Sequence, residues 1–163
     1  MRTGEIVFTG MERVVLGRPA AEAVTEAAER LGAKRVFILA GRTLNRETDA
    51  VRRIAAALGP RYAGLHDEMP AHSPRDAVVA CANKARDAGC DLLLSVGGGS
   101  ATDGGKAVTL CLEHDIREPD GLEPFRTVVD EITGKRRFPD YRAPRVRLIT
   151  VPTTLSGIRP GWM

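Results

Sequence analysis

Short apolar runs alternate along this chain with longer segments in which apolar residues recur every three or four positions. The runs at residues 35–40 and 92–96 are almost continuously apolar, which is typical of strands buried on both faces of a sheet. Shorter strands are predicted at residues 61–65 and 147–151. The strands are separated by segments with helical spacing, so the pattern predicts an α/β fold.

Four segments have the apolar spacing of amphipathic helices. Ser73 and Pro74 are a typical helix start, with serine as the N-cap and proline at the first helical position. Ser100 is likewise expected to be an N-cap. The predicted helices cover residues 20–31, 47–58, 74–88 and 101–112.

Two parts of the chain are less regular. Residues 5–9 and 13–16 are short β-like segments around a glycine, and we expect a small hairpin there. Residues 113–144 are polar and rich in proline and glycine, which predicts a long surface excursion with one short helix near residues 124–132.

Strands alternating with helices indicate a Rossmann-like parallel sheet with helices on both faces. In such a sheet the carboxyl ends of the strands share one edge, where ligands bind. Three turns are expected to meet at this edge: Gly41–Arg42, the turn from Gly97 to Ser100, and the pair Thr153 and Thr154.

The turn after the central strand has the composition of a phosphate-binding site. Gly97, Gly98 and Gly99 carry no Cβ, so a ligand can approach the backbone closely. The helix that follows has unpaired N–H groups and a partial positive charge at its first turn, which together favour an anion. The alternative interpretation is a glycine-rich turn that only lets a helix pack close to a strand.

The turn does not match the common nucleotide-binding motifs. In the dinucleotide pattern G-x-G-x-x-G, Thr102 occupies the place of the third glycine. In the Walker pattern, Gly105-Lys106 is followed by Ala107 instead of serine or threonine, and Ser100 stands where the first glycine belongs.

Composition narrows the class of protein. The 163 residues carry 24 basic and 21 acidic side chains, a net charge of +3, so the small excess argues against a nucleic-acid partner. No apolar run approaches the length of about 20 residues that crosses a membrane, so no membrane partner is expected. Three cysteines without a C-x-x-C pair favour a reducing, cytoplasmic setting, and Cys81 and Cys111 lie in apolar helix patterns as expected core residues.

Two motifs resemble signatures of the iron-containing (group III) alcohol dehydrogenases. Residues 97–106, G-G-G-S-A-T-D-G-G-K, are similar to the family's G-G-G-S-x-x-D-x-x-K element, and residues 149–157, I-T-V-P-T-T-L-S-G, resemble its P-T-T segment. Residues 13–17 and 70–74 are also similar to family sequences. The resemblance is strongest to the branch that includes maleylacetate reductases.

The resemblance implies an N-terminal domain that binds NAD or NADP. By matching position, the glycines and Ser100 would line the cofactor phosphates, and Asp103 would lie near the nicotinamide ribose. Thr153 and Thr154 would contact the adenosine part. Ordinary structural roles remain open, since Asp103 could be a helix-dipole carboxylate and the threonines could satisfy backbone at a strand end.

The chain departs from the family after the strand predicted at residues 35–40. Many members carry an aspartate there that binds the adenosine ribose, whereas this chain has Ala40, Gly41 and Arg42. A glycine removes the repulsion that an aspartate exerts on a 2′-phosphate, and Arg42 could attract that phosphate. We therefore expect NADP to be tolerated beside NAD. The other interpretation of Arg42 is a solvated turn residue.

The family resemblance also implies a metal site that this chain is not expected to hold. In the family, Fe²⁺ or Zn²⁺ is bound by an aspartate and histidines of a helical C-terminal domain. Here the resemblance ends at residue 157 and residues 158–163 match no family pattern, which suggests a truncated or frameshifted chain. His66, His72 and His114 are expected at the surface instead of in a metal site.

Three functions therefore compete. The first is a dehydrogenase that acts on a small alcohol, aldehyde or keto acid, present as its cofactor-binding half, weakly active or inactive alone, and able to form a homodimer. The second is a relative of the sugar-phosphate cyclases, such as a dehydroquinate-synthase-like protein. The third is a nucleotide-binding remnant without catalysis.

Overall fold

The fold is described by a computed structural model that covers residues 11–130 and 133–154. Helices α1 to α5 and strands β1 to β6 follow one another within these ranges, with 3₁₀ turns at Gly59–Arg61 and Pro119–Phe125. In chain order the elements are α1 (Ala20–Arg30), β1 (Val36–Ala40), α2 (Arg42–Glu47), α3 (Ala50–Leu58), β2 (Tyr62–His66), α4 (Arg75–Asp87), β3 (Leu92–Gly97), α5 (Gly99–Glu113), β4 (Val128–Val129), β5 (Arg136–Arg137) and β6 (Arg147–Pro152).

Four strands form one parallel sheet in the order β2-β1-β3-β6. Leu94 of β3 lies between Ile38 of β1 and Ile149 of β6, so β3 is an interior strand. Every residue of β1 and β3 is buried, as the continuous apolar runs predict. Parallel strands place their carboxyl ends on one edge, which we call the rim.

Helices cover both faces of the sheet, and each face has its own core. On the first face, α1 and α3 pack against alternate residues of β1, among them Val36, Ile38 and Ala40. On the second face, α4 and α5 pack against Phe37 and Leu39. The period of two along the strand divides its side chains between the two cores. The predicted Rossmann-like α/β fold is confirmed.

The segment after β1 differs from the prediction of one turn and one helix from residue 47. Helix α2 begins already at Arg42, and Thr48 separates it from α3 by adopting an extended conformation. The Thr48 hydroxyl donates to the Leu44 carbonyl at 2.6 Å, and the Ala50 amide donates to the same hydroxyl at 3.3 Å. Thr48 thus ends one helix and starts the next.

Two other predictions were wrong. Residues 13–16 are exposed and form no strand, while the other half of the expected hairpin, residues 5–9, lies outside the described ranges. In the described residues after Pro124, which lies inside the second 3₁₀ turn, there is no helix. Instead Val128–Val129 pairs antiparallel with Arg136–Arg137, as suits β-branched residues followed by a turn glycine, Gly134, at φ +65°.

A buried carboxylate fixes the start of β6 to the end of α5. The side chain of Glu113 is only 7% exposed and accepts from the backbone amide of Arg145 at 3.0 Å and from its guanidinium at 3.1 Å. Arg142 donates to the Glu113 carbonyl at 2.8 Å. These bonds end the excursion and direct β6 along β3. No helix in the described part of the chain is long and apolar enough to cross a membrane.

Candidate functional site

The ends of β1, β3 and β6 converge at the rim, as the sequence predicts. The Gly41 amide, just after β1, donates to the Val96 carbonyl of β3 at 2.9 Å. On the other side, the Thr153 amide donates to the Gly97 carbonyl at 3.0 Å. The three turns proposed from the sequence are therefore neighbours in space, with the glycine turn in the middle.

Gly97 is required by packing. Its backbone has φ +152°, and a Cβ there would lie 3.0 Å from the Ala101 Cβ and 3.1 Å from the Gly41 nitrogen. Any larger residue would push β1 and β3 apart or move the start of α5. The buried Gly97 thus joins the three segments and does not itself offer a surface to a ligand.

Gly98 and Gly99 lie where the turn passes into α5. Gly98, not Ser100, occupies the N-cap position, because α5 begins two residues earlier than predicted, and the Thr102 amide bonds to the Gly98 carbonyl at 3.1 Å. The N–H groups before Thr102 have no acceptor within the helix. A Cβ on Gly99 would meet no atom of the described residues within 4 Å, so these residues leave the space beside Gly99 open.

The threonine pair borders the turn on the β6 side. Both threonines are exposed, and the Thr154 side chain lies over Gly98: a Cβ on that glycine would be 3.4 Å from Thr154 Cγ2 and 3.5 Å from its Oγ1. A hydroxyl therefore lies next to Gly98, while the contact of the two threonines with the adenosine part remains a prediction.

Arg42 follows β1, the neighbour of β3 on the other side, and Asp67 follows β2, one strand further along the sheet. Arg42 is the first residue of α2 and is exposed. Asp67, just after β2, accepts from Arg46 Nε and Asn45 Nδ2, both at 3.0 Å. The bond from Arg46, followed by that from Asn45, lowers the pKa of the Asp67 carboxyl, and the charge of Arg42 adds a smaller contribution. No carboxylate follows β1 directly, where the family resemblance would place the aspartate that binds the adenosine ribose. The carboxylate of Asp67 lies just after β2 instead.

Asp103 lies in α5 one turn after the glycines. It is exposed, and its carboxylate pairs with Lys106 Nζ at 3.3 Å on the same helix. Because α5 starts at Gly99, Asp103 is not in the first helical turn. Its predicted contact with the nicotinamide ribose remains a prediction.

Ser73 contacts the glycine turn, which the sequence did not predict. Ser73 does not cap α4: Pro74 takes the N-cap position, and the Ser73 hydroxyl donates to the Ser100 carbonyl at 2.9 Å. His72 and Ser73 both have positive φ, at 65° and 47°. Neither the left-handed backbone nor the contact across 27 residues leaves a signal in the sequence.

The histidines do not form a metal site in the described ranges. No group of three or more His, Cys, Asp or Glu side chains there could hold a metal ion. The prediction of a surface position is wrong for His66, which is 4% exposed at the end of β2 because β2 packs along β1. Its ring nitrogens have no hydrogen-bond partner in the described residues, and burial, more than the nearby Lys84, lowers its pKa.

Two of the three cysteines, Cys81 and Cys111, are buried thiols. Cys81 and Cys111 belong to the core between α4, α5 and the sheet, as predicted. Burial raises the pKa of Cys81 to about 12 and that of Cys111 to about 11. A thiol with such a pKa is protonated at neutral pH, so these residues are not nucleophiles.

Comparison with known proteins agrees with this geometry. The sequence profile of the iron-containing alcohol dehydrogenases matches residues 11–158. Maleylacetate reductase 2 of Cupriavidus pinatubonensis is 39% identical over 105 residues, which are 64% of this chain and 28% of that enzyme.

Solved structures share the fold. The maleylacetate reductase of Rhizobium sp. strain MTP-10005 is 27% identical, with a TM-score of 0.58, over 91% of this chain and 43% of its own. The sulfoacetaldehyde reductase of Bifidobacterium kashiwanohense, solved with NAD⁺, has a TM-score of 0.66 at 22% identity, covering 85% of this chain and 33% of its own.

Each match spans less than half of the relative's length. The profile nevertheless covers nearly the whole chain, including both motifs at the rim. The chain belongs to the iron-containing alcohol dehydrogenase family, whose members are oxidoreductases, and it corresponds to the N-terminal part of that family.

Proposed function

We propose that this chain binds the pyrophosphate of NAD or NADP at the turn formed by Gly98, Gly99 and Ser100. The observation that carries the proposal is that the described residues leave the space beside Gly99 open, next to helix amides without an intrahelical acceptor. A glycine in a helix costs stability relative to alanine, so an uncrowded one at this place suits a ligand that approaches the backbone.

We assign the adenosine part and the nicotinamide ribose of the cofactor to residues near this turn. Thr153 and Thr154 would contact the adenosine part from β6, and Asp103 would lie near the nicotinamide ribose one turn along α5. The sulfoacetaldehyde reductase that shares the fold binds NAD⁺, which supports a nicotinamide cofactor for this fold. When bound, the nicotinamide supplies hydride transfer, while the residues of this chain bind and orient the cofactor.

In this proposal the chain is the cofactor-binding half of an oxidoreductase that interconverts an alcohol and a carbonyl compound. The family name implies iron, but the side chains in residues 11–130 and 133–154 do not fit a metal site. We therefore derive no metal-dependent step for these residues. The expected tail at residues 158–163 lies outside the described ranges.

Arg42 would decide between the two cofactors. No carboxylate follows β1 directly, and Arg46, rather than Arg42, binds Asp67, so Arg42 could pair with a 2′-phosphate. Arg42→Ala should weaken NADP binding on the order of tenfold and change NAD binding less than twofold. The exposed Arg53→Ala in α3 is the matched control. Equal losses for both cofactors would remove Arg42 from the 2′-phosphate site.

Calorimetric titration of the purified chain with NAD, NADP, ADP and adenosine tests the proposed function. We expect saturable binding of the first three and much weaker binding of adenosine, because the helix amides bind phosphate. Absence of binding for all three phosphorylated ligands would refute the proposal.

A further inference from the structure

We infer that Ser73 is a positioning residue for the phosphate-binding turn, which it holds through the Ser100 carbonyl. This inference rests on the proposed function, since it assigns Ser73 to the same turn. It adds a fourth segment, the loop of residues 67–74 between β2 and α4, to the three strand ends that form the site.

The hydrogen bond acts on the first turn of α5 from outside the helix. The Ser73 hydroxyl donates to the Ser100 carbonyl at 2.9 Å, and Ser100 is the second residue of the helix. A carbonyl and the N–H of the following residue belong to the same rigid peptide unit. Fixing the Ser100 carbonyl therefore fixes the direction of the Ala101 amide.

The loop is held in the conformation that this bond requires. His72 and Ser73 are two consecutive residues with left-handed backbone, which residues other than glycine seldom adopt. The Ser73 amide bonds to the Pro70 carbonyl at 3.3 Å, which closes the turn behind the hydroxyl. Strained backbone of this kind persists where the surrounding structure enforces it, and it is frequent beside ligand sites.

A second contact joins the same loop to α5. Met69 packs so closely on Gly104 that a Cβ on this glycine would lie 3.1 Å from the Met69 Cε. The loop thus binds α5 at two places, four residues apart on the helix. Apolar packing at Gly104 brings the loop to the helix, and the hydroxyl of Ser73 then fixes the turn that faces the ligand.

Two substitutions separate the hydroxyl from the backbone conformation. Ser73→Gly removes the hydroxyl but favours a positive φ, whereas Ser73→Ala removes the hydroxyl and keeps the strain. If the hydroxyl positions the turn, both variants should bind ADP about threefold to tenfold more weakly than the unchanged chain. Adenosine, which has no phosphate, should bind all three proteins equally.

The matched control is Thr25→Ala in α1, on the other face of the sheet, where a threonine hydroxyl also donates to a backbone carbonyl, at 2.8 Å. Affinities are measured by calorimetry with ADP and adenosine, and thermal unfolding of each variant is recorded in parallel. The control should leave ADP affinity unchanged.

The outcomes are distinct. A loss of ADP affinity in both Ser73 variants, with adenosine unaffected and Ser73→Gly as stable as the unchanged chain, supports the inference. Normal ADP binding by Ser73→Gly would show that only backbone conformation matters and would overturn it. Parallel losses for ADP and adenosine would assign Ser73 a purely structural role. If the unchanged chain binds no ADP, the proposed function itself fails.

Discussion

At the scale of single residues, the glycines of the turn divide into two kinds. Gly97 is enclosed by Ala101 and Gly41, and Gly105 by Leu148 and Ser95, whereas no described residue lies within 4 Å of a Cβ on Gly99. The sequence shows all of them as members of one glycine-rich motif. Only the packing around each Cβ direction separates a glycine that permits close contact within the protein from one that leaves room for a ligand.

Alanine substitutions should expose this difference. Gly99→Ala is expected to keep the free energy of unfolding or raise it by up to about 1 kcal/mol, because alanine favours a helix. It should weaken NAD binding on the order of tenfold or more, since the methyl group enters the space of the ligand. Isothermal calorimetry and chemical unfolding measure the two effects.

Gly97→Ala is the matched comparison. Its Cβ would lie 3.0 Å from the Ala101 Cβ, so we expect a loss of about 1–3 kcal/mol in the free energy of unfolding. If Gly99→Ala were the destabilised variant and bound NAD normally, the assignment of the open glycine would be wrong.

The residues missed by sequence reasoning share one cause. Ser73-Pro74 fits a helix start, yet the structure uses the hydroxyl for a contact with Ser100. His66 stands before two acidic residues, which suggests a polar surface, yet β2 places it against β1. In both cases the tertiary neighbours override local preferences, and no pattern within the local sequence encodes those neighbours.

At the scale of elements, the position of β6 depends on a carboxylate at the end of α5. The backbone amide of Arg145 donates to the Glu113 carboxylate, and the Arg145 side chain donates to it as well. The backbone bond, followed by the side-chain bond, lowers the pKa of the Glu113 carboxyl. A depressed pKa means that the stabilisation is present above the unfolded value, about 4.3, and is lost as pH falls through the folded value.

Glu113→Ala should therefore loosen residues 142–147 and the start of β6. Hydrogen exchange of the Arg145 amide should become faster on the order of tenfold, while exchange in β1 changes little. Glu118→Ala, an exposed acidic residue just before the second 3₁₀ turn, is the control. Unchanged exchange at Arg145 would show that Glu113 does not anchor the strand.

The sequence predicted the helices and strands with clear periodic patterns, but it did not predict where one helix ends and the next begins. The apolar run of β3 and the amphipathic spacing of α1 and α4 gave boundaries within a few residues, because buried strands and two-sided helices leave a periodic pattern. The division between α2 and α3 depends on the two hydrogen bonds of Thr48. A threonine in a helical pattern carries no sign that it will act in this way.

At the scale of the whole molecule, the pH dependence of stability should reflect His66. Burial lowers its pKa below the ordinary 6.5, so the folded state binds its proton less readily than the unfolded chain. The stability is therefore complete above about pH 6.5 and declines as pH falls from that value towards the folded pKa.

His66→Phe should flatten this decline, measured as the unfolding midpoint between pH 7.5 and 5. At neutral pH the variant should be as stable as the unchanged chain or more stable by about 1–3 kcal/mol, because it removes two buried nitrogens that have no hydrogen-bond partner among the described residues. Arg53→Ala, at an exposed position of α3, should leave the decline unchanged. An identical pH profile for His66→Phe and the unchanged chain would contradict this account.

The parallel sheet explains why distant motifs could be combined from the sequence. Once the strands are parallel, Gly41, Gly97 and Thr153 must lie on one edge, although more than 50 residues separate each from the next. The order β2-β1-β3-β6 makes them direct neighbours. The strand order and the loop that carries Ser73 required the structure, because several orders satisfy the same apolar pattern.

The central claim is that the amides at the start of α5 bind the cofactor phosphates. The most direct measurement is an NMR titration of the ¹⁵N-labelled chain with NAD, following every backbone amide. The account predicts that the largest shifts occur at Gly98, Gly99, Ser100 and Ala101, with smaller shifts at Thr153 and Thr154. Saturable NAD binding whose shifts lie elsewhere, or no shifts at any amide, would contradict it.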